Sequence, residues 1–445
     1  MKNYDKQPTA ENIENALKNN ALNLNERIFK VSQLLDHVNE ATSICLDGKW
    51  GSGKTFFVKE LQFLLDSLNP FSECKHESIE NLAGKPELTQ TYATVYFDAW
   101  ENDLHNDPLL SLLYIIARQF SLEYKWEKFD FDSAIKQVIG TLVSSIPFLG
   151  KTIDVKELMN GKYVNDLMDT IKKENNLQKE IIEFFSKLSA ERGDRILIII
   201  DELDRCRPDY AIQLLERIKH YMSCEQITFL FAMNENELEY IVKQYYGQEF
   251  NATGYLDKFF DLRLNLPEVP IETYLQYLEF DINSSCFKEI ICKEVISYLG
   301  FQKREINRFL KYISIILDNY ERRGNFGFCE DECKDFIIHI IFPCLIGLKL
   351  KSTEKYNAFI NGTDCSILVH VLSGEHFEYY QQKICSKSQN KDDLVQNINT
   401  FCQTLFVYDF PKYKSGKSVG QYILTPTHRK LILDLVSMIS DYSVF

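Results

Sequence analysis

The sequence predicts an α/β protein: a parallel sheet of about five strands with a helical insertion, followed by a helical lid and an α-helical C-terminal region. Three observations point there. Short runs rich in β-branched and aromatic residues alternate with helical patterns, the arrangement of a doubly wound sheet. One run, Arg195-Ile196-Leu197-Ile198-Ile199-Ile200, is apolar throughout its length after Arg195, as strands buried on both faces of a parallel sheet are. Beyond Pro267-Glu268-Val269-Pro270 the apolar spacing turns helical and stays so to the end.

Taken in order, the stretch to about Leu35 reads as helix, with Leu22 and Leu24 leading into Ile28, Val31, Leu34 and Leu35. A strand is expected at 43–46, then a glycine-rich loop at 48–55. A helix follows from Phe56, with Phe57, Leu61, Leu64 and Leu65 on one face. The second strand falls at 92–97. The next helix opens with Asp107 as cap and Pro108 in its first turn. Residues 125–188 read as a helical insertion, and the third strand ends at 200. A helix at 210–222 and strands at 227–233 and 261–266 complete the pattern. The expected division is an N-terminal helical segment (1–35), a sheet domain (36–268, insertion about 120–190), a helical lid (269–350) and a C-terminal helical region (351–445). That last region holds no functional motif, and its aromatic clusters at 376–380 and 406–413 read as core.

Length and composition narrow the function classes. At 445 residues, 45% of them hydrophobic, the chain has room for two to three folded domains. Its 50 basic against 64 acidic residues give a net charge of -14. A general nucleic-acid coat is thereby disfavoured, since such affinity comes from Lys and Arg on phosphates. The 12 cysteines are scattered and the N-terminus has no apolar signal core, so reduced thiols in a cytoplasmic protein are expected. Cys329 and Cys333, with His339 after them, lack a second ligand pair, and no metal is expected there. No apolar run approaches the roughly 20 residues of a spanning helix. The nearest, 138–149, is interrupted by Pro147 and reads as a buried helix with a turn; contact with a membrane or a partner is the sharper alternative.

The chemistry concentrates in two places. Gly48-Lys49-Trp50-Gly51-Ser52-Gly53-Lys54-Thr55 fits G-x-x-x-x-G-K-[ST] in full. Glycines let backbone N–H groups turn inward around a phosphate and open onto a helix N-terminus, which favours an anion. Lys54 can reach the β- and γ-phosphates and the Thr55 hydroxyl can ligate Mg2+; Phe56 adjoins this nucleotide-binding segment. The second place is the end of the apolar strand, Asp201-Glu202. A carboxylate there lies at the edge where open α/β sheets bind ligands. Asp201 is expected to orient the magnesium and Glu202 to act as general base on water. Asn234 or Asn236, after the fourth strand, either senses the γ-phosphate or simply forms a turn. Asn390-Lys391-Asp392-Asp393 fits a guanine-reading pattern but follows no strand, so ATP is expected over GTP.

With these blocks in view, the chain resembles the KAP family of P-loop NTPases. The resemblance rests on the loop, on Phe97-Asp98-Ala99-Trp100-Glu101, on Asp201-Glu202-Leu203-Asp204-Arg205-Cys206-Arg207-Pro208, on Tyr255-Leu256-Asp257-Lys258-Phe259-Phe260, and on Arg304-Glu305-Ile306-Asn307-Arg308-Phe309-Leu310. It covers roughly 25–315. It implies a sheet in which another strand separates the loop strand from the acidic strand, and a helical lid. Many members carry transmembrane helices in the insertion; this chain looks like a member without them. By position, Arg304 or Arg308 resembles a lid arginine touching the γ-phosphate. Lys258 or Arg263 could complete a neighbour's site in a homo-oligomer. Asp204 and Arg205 look like a structural or coupling pair. Trp100 at a strand end would usually fill core, and Glu101 would lie close to the site. The implied function is a Mg2+-dependent ATPase that switches or assembles a partner protein through its C-terminal helical region, with bacterial anti-phage or mobile-element defence as the family-level setting. A DNA-acting ATPase and a scaffold that binds ATP with little turnover are the competing readings.

Overall fold

Five strands, β1 (Thr42–Asp47), β2 (Tyr92–Asp98), β3 (Arg195–Asp201), β4 (Ile227–Met233) and β5 (Leu262–Asn265), form one parallel sheet in a computed structural model of the chain. The order is β2-β3-β4-β1-β5. As the resemblance implies, β4 stands between the loop strand β1 and the acidic strand β3. The structure describes the chain apart from residues 1–3, 5, 73–75, 77–78, 80, 106, 124–129, 146–161, 222–223, 281–286, 321–330, 386–390, 412–415 and 443–445. It divides into two units, Pro8–Val269 and Met1–Gln7 with Pro270–Phe445.

Every residue of β3 and of β4 is buried. That is why Ile196–Ile200 could be apolar without alternation: helices cover both faces. The strand ends are level, with Asp98 opposite Asp201, Asp201 opposite Ala232, and Asp47 opposite Met233. The C-terminal edge therefore gathers several carboxylates side by side.

Helices α1 (Ala10–Asn19), α2 (Asn25–Asp36) and α3 (Lys54–Leu68) pack together, α3 lying on β2 and β4. The insertion consists of α4 (Pro108–Glu123), α5 (Phe131–Ser145) and α6 (Lys162–Arg192). Asp107 caps α4 as expected, accepting the Leu110 N–H at 3.0 Å. Val138 and Leu142 are buried in α5, in keeping with a core helix; 146–149 lie outside the described residues. No described helix is long and apolar enough to cross a membrane. The unit closes with α7 (Pro208–Tyr221), α8 (Glu235–Tyr246) and α9 (Ala252–Leu256).

The second unit holds α10 (Ile271–Tyr277), α11 (Phe287–Leu299) and α12 (Lys303–Tyr320). Next comes α13 (332–351), a continuous helix with a π turn at Ile337–Ile341. Helices α14 (Thr353–Ile360), α15 (Ser366–Leu372), α16 (Glu378–Cys385) and α17 (Lys391–Cys402) follow. The expectation of helix to the end needs one correction. An antiparallel hairpin, β6 (Lys417–Val419) and β7 (Tyr422–Leu424), precedes α18 (Pro426–Tyr442). Strands of three residues are too short to show an alternation signal. Of the aromatic clusters, Phe377 is core while Tyr379 is 53% exposed. Lys391 opens a helix, so the guanine-like segment has no strand before it among the described residues.

Candidate nucleotide site

The chain leaves β1 at Asp47 and enters the loop. Gly51 (φ +78°) and Gly53 (φ +101°) take left-handed backbone conformations that a side chain would strain. At Gly48 an added Cβ would lie 2.9 Å from Ser52 Oγ. The loop opens onto the N-terminus of α3, with Phe56 half-buried in its first turn. Lys54 is buried, and its ammonium donates to the Gly48 carbonyl at 2.6 Å and the Lys49 carbonyl at 3.2 Å. Burial lowers the Lys54 pKa, while the charges of Asp204, Asp201, Glu202 and Asp47 oppose that. The loop's own carbonyls thus hold the cation.

Two contacts anchor the loop to β4. The Gly48 N–H donates to the Met233 carbonyl at 3.1 Å. The Trp50 indole N–H donates to Asp204 Oδ2 at 2.6 Å, and the Asn234 amide donates to the same oxygen at 3.0 Å. Asn234 is the buried N-cap of α8 and so stands beside the loop, whereas Asn236 is exposed.

Asp201 supplies the other half of the site. Wholly buried, it accepts the Tyr96 hydroxyl at 2.9 Å and the Glu202 N–H at 2.9 Å, with the Thr55 hydroxyl close by. Burial raises its pKa, and these bonds offset part of the rise. Thr55 and Asp201, the two expected magnesium ligands, are thus neighbours. A hydroxyl beside a carboxylate is a hard-oxygen pair, and it fits Mg2+.

Glu202 holds a left-handed backbone, φ +61°, which costs a non-glycine residue about 1–3 kcal/mol. Its carboxylate pairs with Arg205, whose guanidinium carbon lies 5.5 Å over the Trp100 ring. Burial, then the Asp201 charge, push Glu202 up to about 7 against the pull of Arg205. A carboxyl poised near neutrality suits a general base.

Two readings change here. Trp100 does not fill core: it is 52% exposed, under Arg205. Asp204 and Arg205 do not pair with each other; Asp204 binds Trp50 and Asn234, and Arg205 binds Glu202. The Arg263 guanidinium is engaged within its own chain, by Glu235 at 2.8 Å and Asp257 at 2.6 Å. Lys258 is exposed, as is Glu101, whose amide donates to Asp98 at 3.0 Å. Arg304 and Arg308 are exposed on α12 of the second unit.

Two residues, Tyr96 and Lys59, went unnoticed in the sequence, and Asp98 was noted only as part of its block. Tyr96 bonds Asp201; Lys59 stands 3.3 Å from the Tyr96 ring centroid; Asp98 pairs with Asp201 in register. Burial lowers the Lys59 pKa while Asp201, Asp98 and Glu101 oppose it. The available signal was spacing: Lys59 follows Thr55 by one helical turn.

Comparison with known proteins agrees with this geometry. The family described as the KAP family P-loop domain matches residues 17–284. No curated protein matches the chain. Among solved structures, the Aeropyrum pernix ORC2 protein in ADPNP–ADP complexes is similar at 12% identity, over 96% of this chain and 94% of that one. Its TM-score of 0.35 is too low to carry an argument about function.

Proposed function

The chain belongs to the KAP family of P-loop NTPases, and from that premise we propose that it is a Mg2+-dependent ATPase. We propose further that hydrolysis switches its conformation or assembly on a partner protein reached through the C-terminal helices. The neighbouring positions of Thr55 and Asp201, with the loop tied to the turn after the acidic strand by the Trp50–Asp204 bond at 2.6 Å, carry the first reading, because they join loop and strand into one ligand set.

In this reading Lys54 leaves the Gly48 and Lys49 carbonyls for the β- and γ-phosphates, while Trp50 stays tied to Asp204. Thr55 and Asp201 would hold the metal, which when bound would neutralise charge on the transferring phosphate. Glu202 takes a proton from water once its carboxylate is free of Arg205. A nucleotide with a γ-phosphate and one without would then differ in their contacts with Lys54, and only such a difference can bias a switch. ATP is proposed over GTP because the guanine-like segment runs into a helix of the second unit, outside the sheet domain.

The test is hydrogen exchange of the full chain with ATP·Mg2+ under the Glu202→Gln substitution, compared with ADP·Mg2+. The proposal expects protection that differs between the two in 269–350 as well as at the loop. Identical exchange beyond the loop would remove the switch and leave a nucleotide-binding scaffold.

A further inference from the structure

A second cluster of metal-ligating groups lies within the C-terminal unit. Asp331 caps the first turn of α13, accepting the N–H groups of Cys333 at 3.1 Å and Lys334 at 3.2 Å. Cys333, two residues on, is a free thiol 4% exposed. From the first turn of α18, the 5%-exposed His428 brings Nε2 to 2.7 Å from Asp331 Oδ2. One oxygen, one sulfur and one nitrogen, each from a different residue, lie within 4.8 Å of one another.

We propose that Asp331, Cys333 and His428 bind a zinc ion that ties α13 to α18, with water as the fourth ligand. Zinc fits for three reasons. Mixed O, N and S donors in a small tetrahedron suit this borderline-soft ion. Metal–ligand bonds of 2.0–2.3 Å give ligand separations of roughly 3.3–3.7 Å, so the 2.7 Å pair opens and the 4.8 Å span closes by about an ångström or less. Third, the charges cancel: a dication, a carboxylate, a thiolate and a neutral imidazole sum to zero, which suits a buried place. The Asp331 side chain is 48% exposed, which leaves the fourth position facing solvent.

Proton movements balance. In the metal-free pair, His428 Nδ1 accepts the Thr425 N–H at 3.2 Å, so Nε2 carries the ring proton and donates to Asp331. With zinc on Nε2 the proton sits on Nδ1 and is donated to Thr425 Oγ1, also at 3.2 Å, and the Thr425 N–H gives up its bond to the ring. Such an outer hydrogen bond ordinarily fixes a ligating histidine. The Cys333 thiol proton goes to solvent, so each ion bound releases one proton.

The test uses the untagged full chain, depleted of metal and then titrated with Co2+. The expected result is a near-ultraviolet thiolate-to-cobalt band saturating at about one ion per chain, lost in Cys333→Ser and weakened at least tenfold in affinity in His428→Ala. The nucleotide site offers only oxygen ligands and gives no such band. Zinc content of the chain as purified should also be about one, and a strong chelator should lower the melting temperature of the native chain but not of Cys333→Ser. Circular dichroism identifies variants that fail to fold, and Asp331→Asn, which keeps an acceptor for the helix cap, replaces them. A folded native chain with no cobalt–thiolate band overturns the proposal, as does a Cys333→Ser chain that keeps the band.

Discussion

Trp50 donates its indole N–H to Asp204 at 2.6 Å, tying the middle of the phosphate loop to the turn that follows the acidic strand. Because the same carboxylate oxygen receives the Asn234 amide, one buried side chain fixes the loop, the β3 exit and the β4 exit together. The loop is therefore held in shape before any phosphate arrives.

Removing that acceptor should show. Asp204→Ala leaves two donors without partners and should weaken nucleotide binding and cost about 1–3 kcal/mol of stability. Asp204→Asn keeps an oxygen for both and should lose less. Trp50→Phe keeps the ring but not the bond, and its affinity should fall roughly tenfold. Nucleotide titration and thermal melts of the three variants separate these outcomes; equal behaviour of all three would mean that the clamp is not needed.

Turnover should depend on pH through Glu202. Its carboxyl is pushed up to about 7, and a base works only when deprotonated. Thus kcat/KM, which reports the free enzyme, should rise with pH and level off above about 7. Arg205 lowers this pKa, so Arg205→Ala should move the rise to higher pH and Arg205→Lys should restore part of it. A profile indifferent to Arg205 would contradict the pairing.

Tyr96→Phe deletes only a hydroxyl, and with it a bond that favours ionised Asp201. The Mg2+ concentration needed for half-maximal turnover should rise several-fold, since such a bond to a charged group contributes about 1.5–3 kcal/mol at most. The fold should be untouched. A magnesium dependence unchanged from the native chain would refute the assignment.

Stability should rest on the central strands. Ile198 is wholly buried on β3, and Ile198→Ala should cost about 2–5 kcal/mol, read as a lower denaturant midpoint with circular dichroism.

The sheet was legible because buried parallel strands are continuous apolar runs; β4 spans 227–233 as the sequence suggested. Gly51 and Gly53 were legible as a loop because few other residues accept their dihedrals. What stayed hidden depends on strand order. Trp50 and Asp204 are 154 positions apart and meet only because β4 lies between β1 and β3. The Arg205–Glu202 pair needs the short turn after β3, and that turn also holds Arg205 over Trp100, which a strand-end tryptophan gives no reason to expect. Residue 333 likewise meets 428 only through the packing of the C-terminal unit.

The most direct test of the account is steady-state phosphate release from the native chain, Lys54→Ala and Glu202→Gln, each with ATP binding measured in parallel. The native chain should release phosphate only with Mg2+. Lys54→Ala should lose binding and turnover together, and Glu202→Gln should still bind ATP while turnover falls about 10²-fold or more. If Glu202→Gln hydrolyses ATP at the native rate, or if the native chain binds Mg2+·ATP and releases no phosphate, the loop and the acidic strand do not form the hydrolytic site described here.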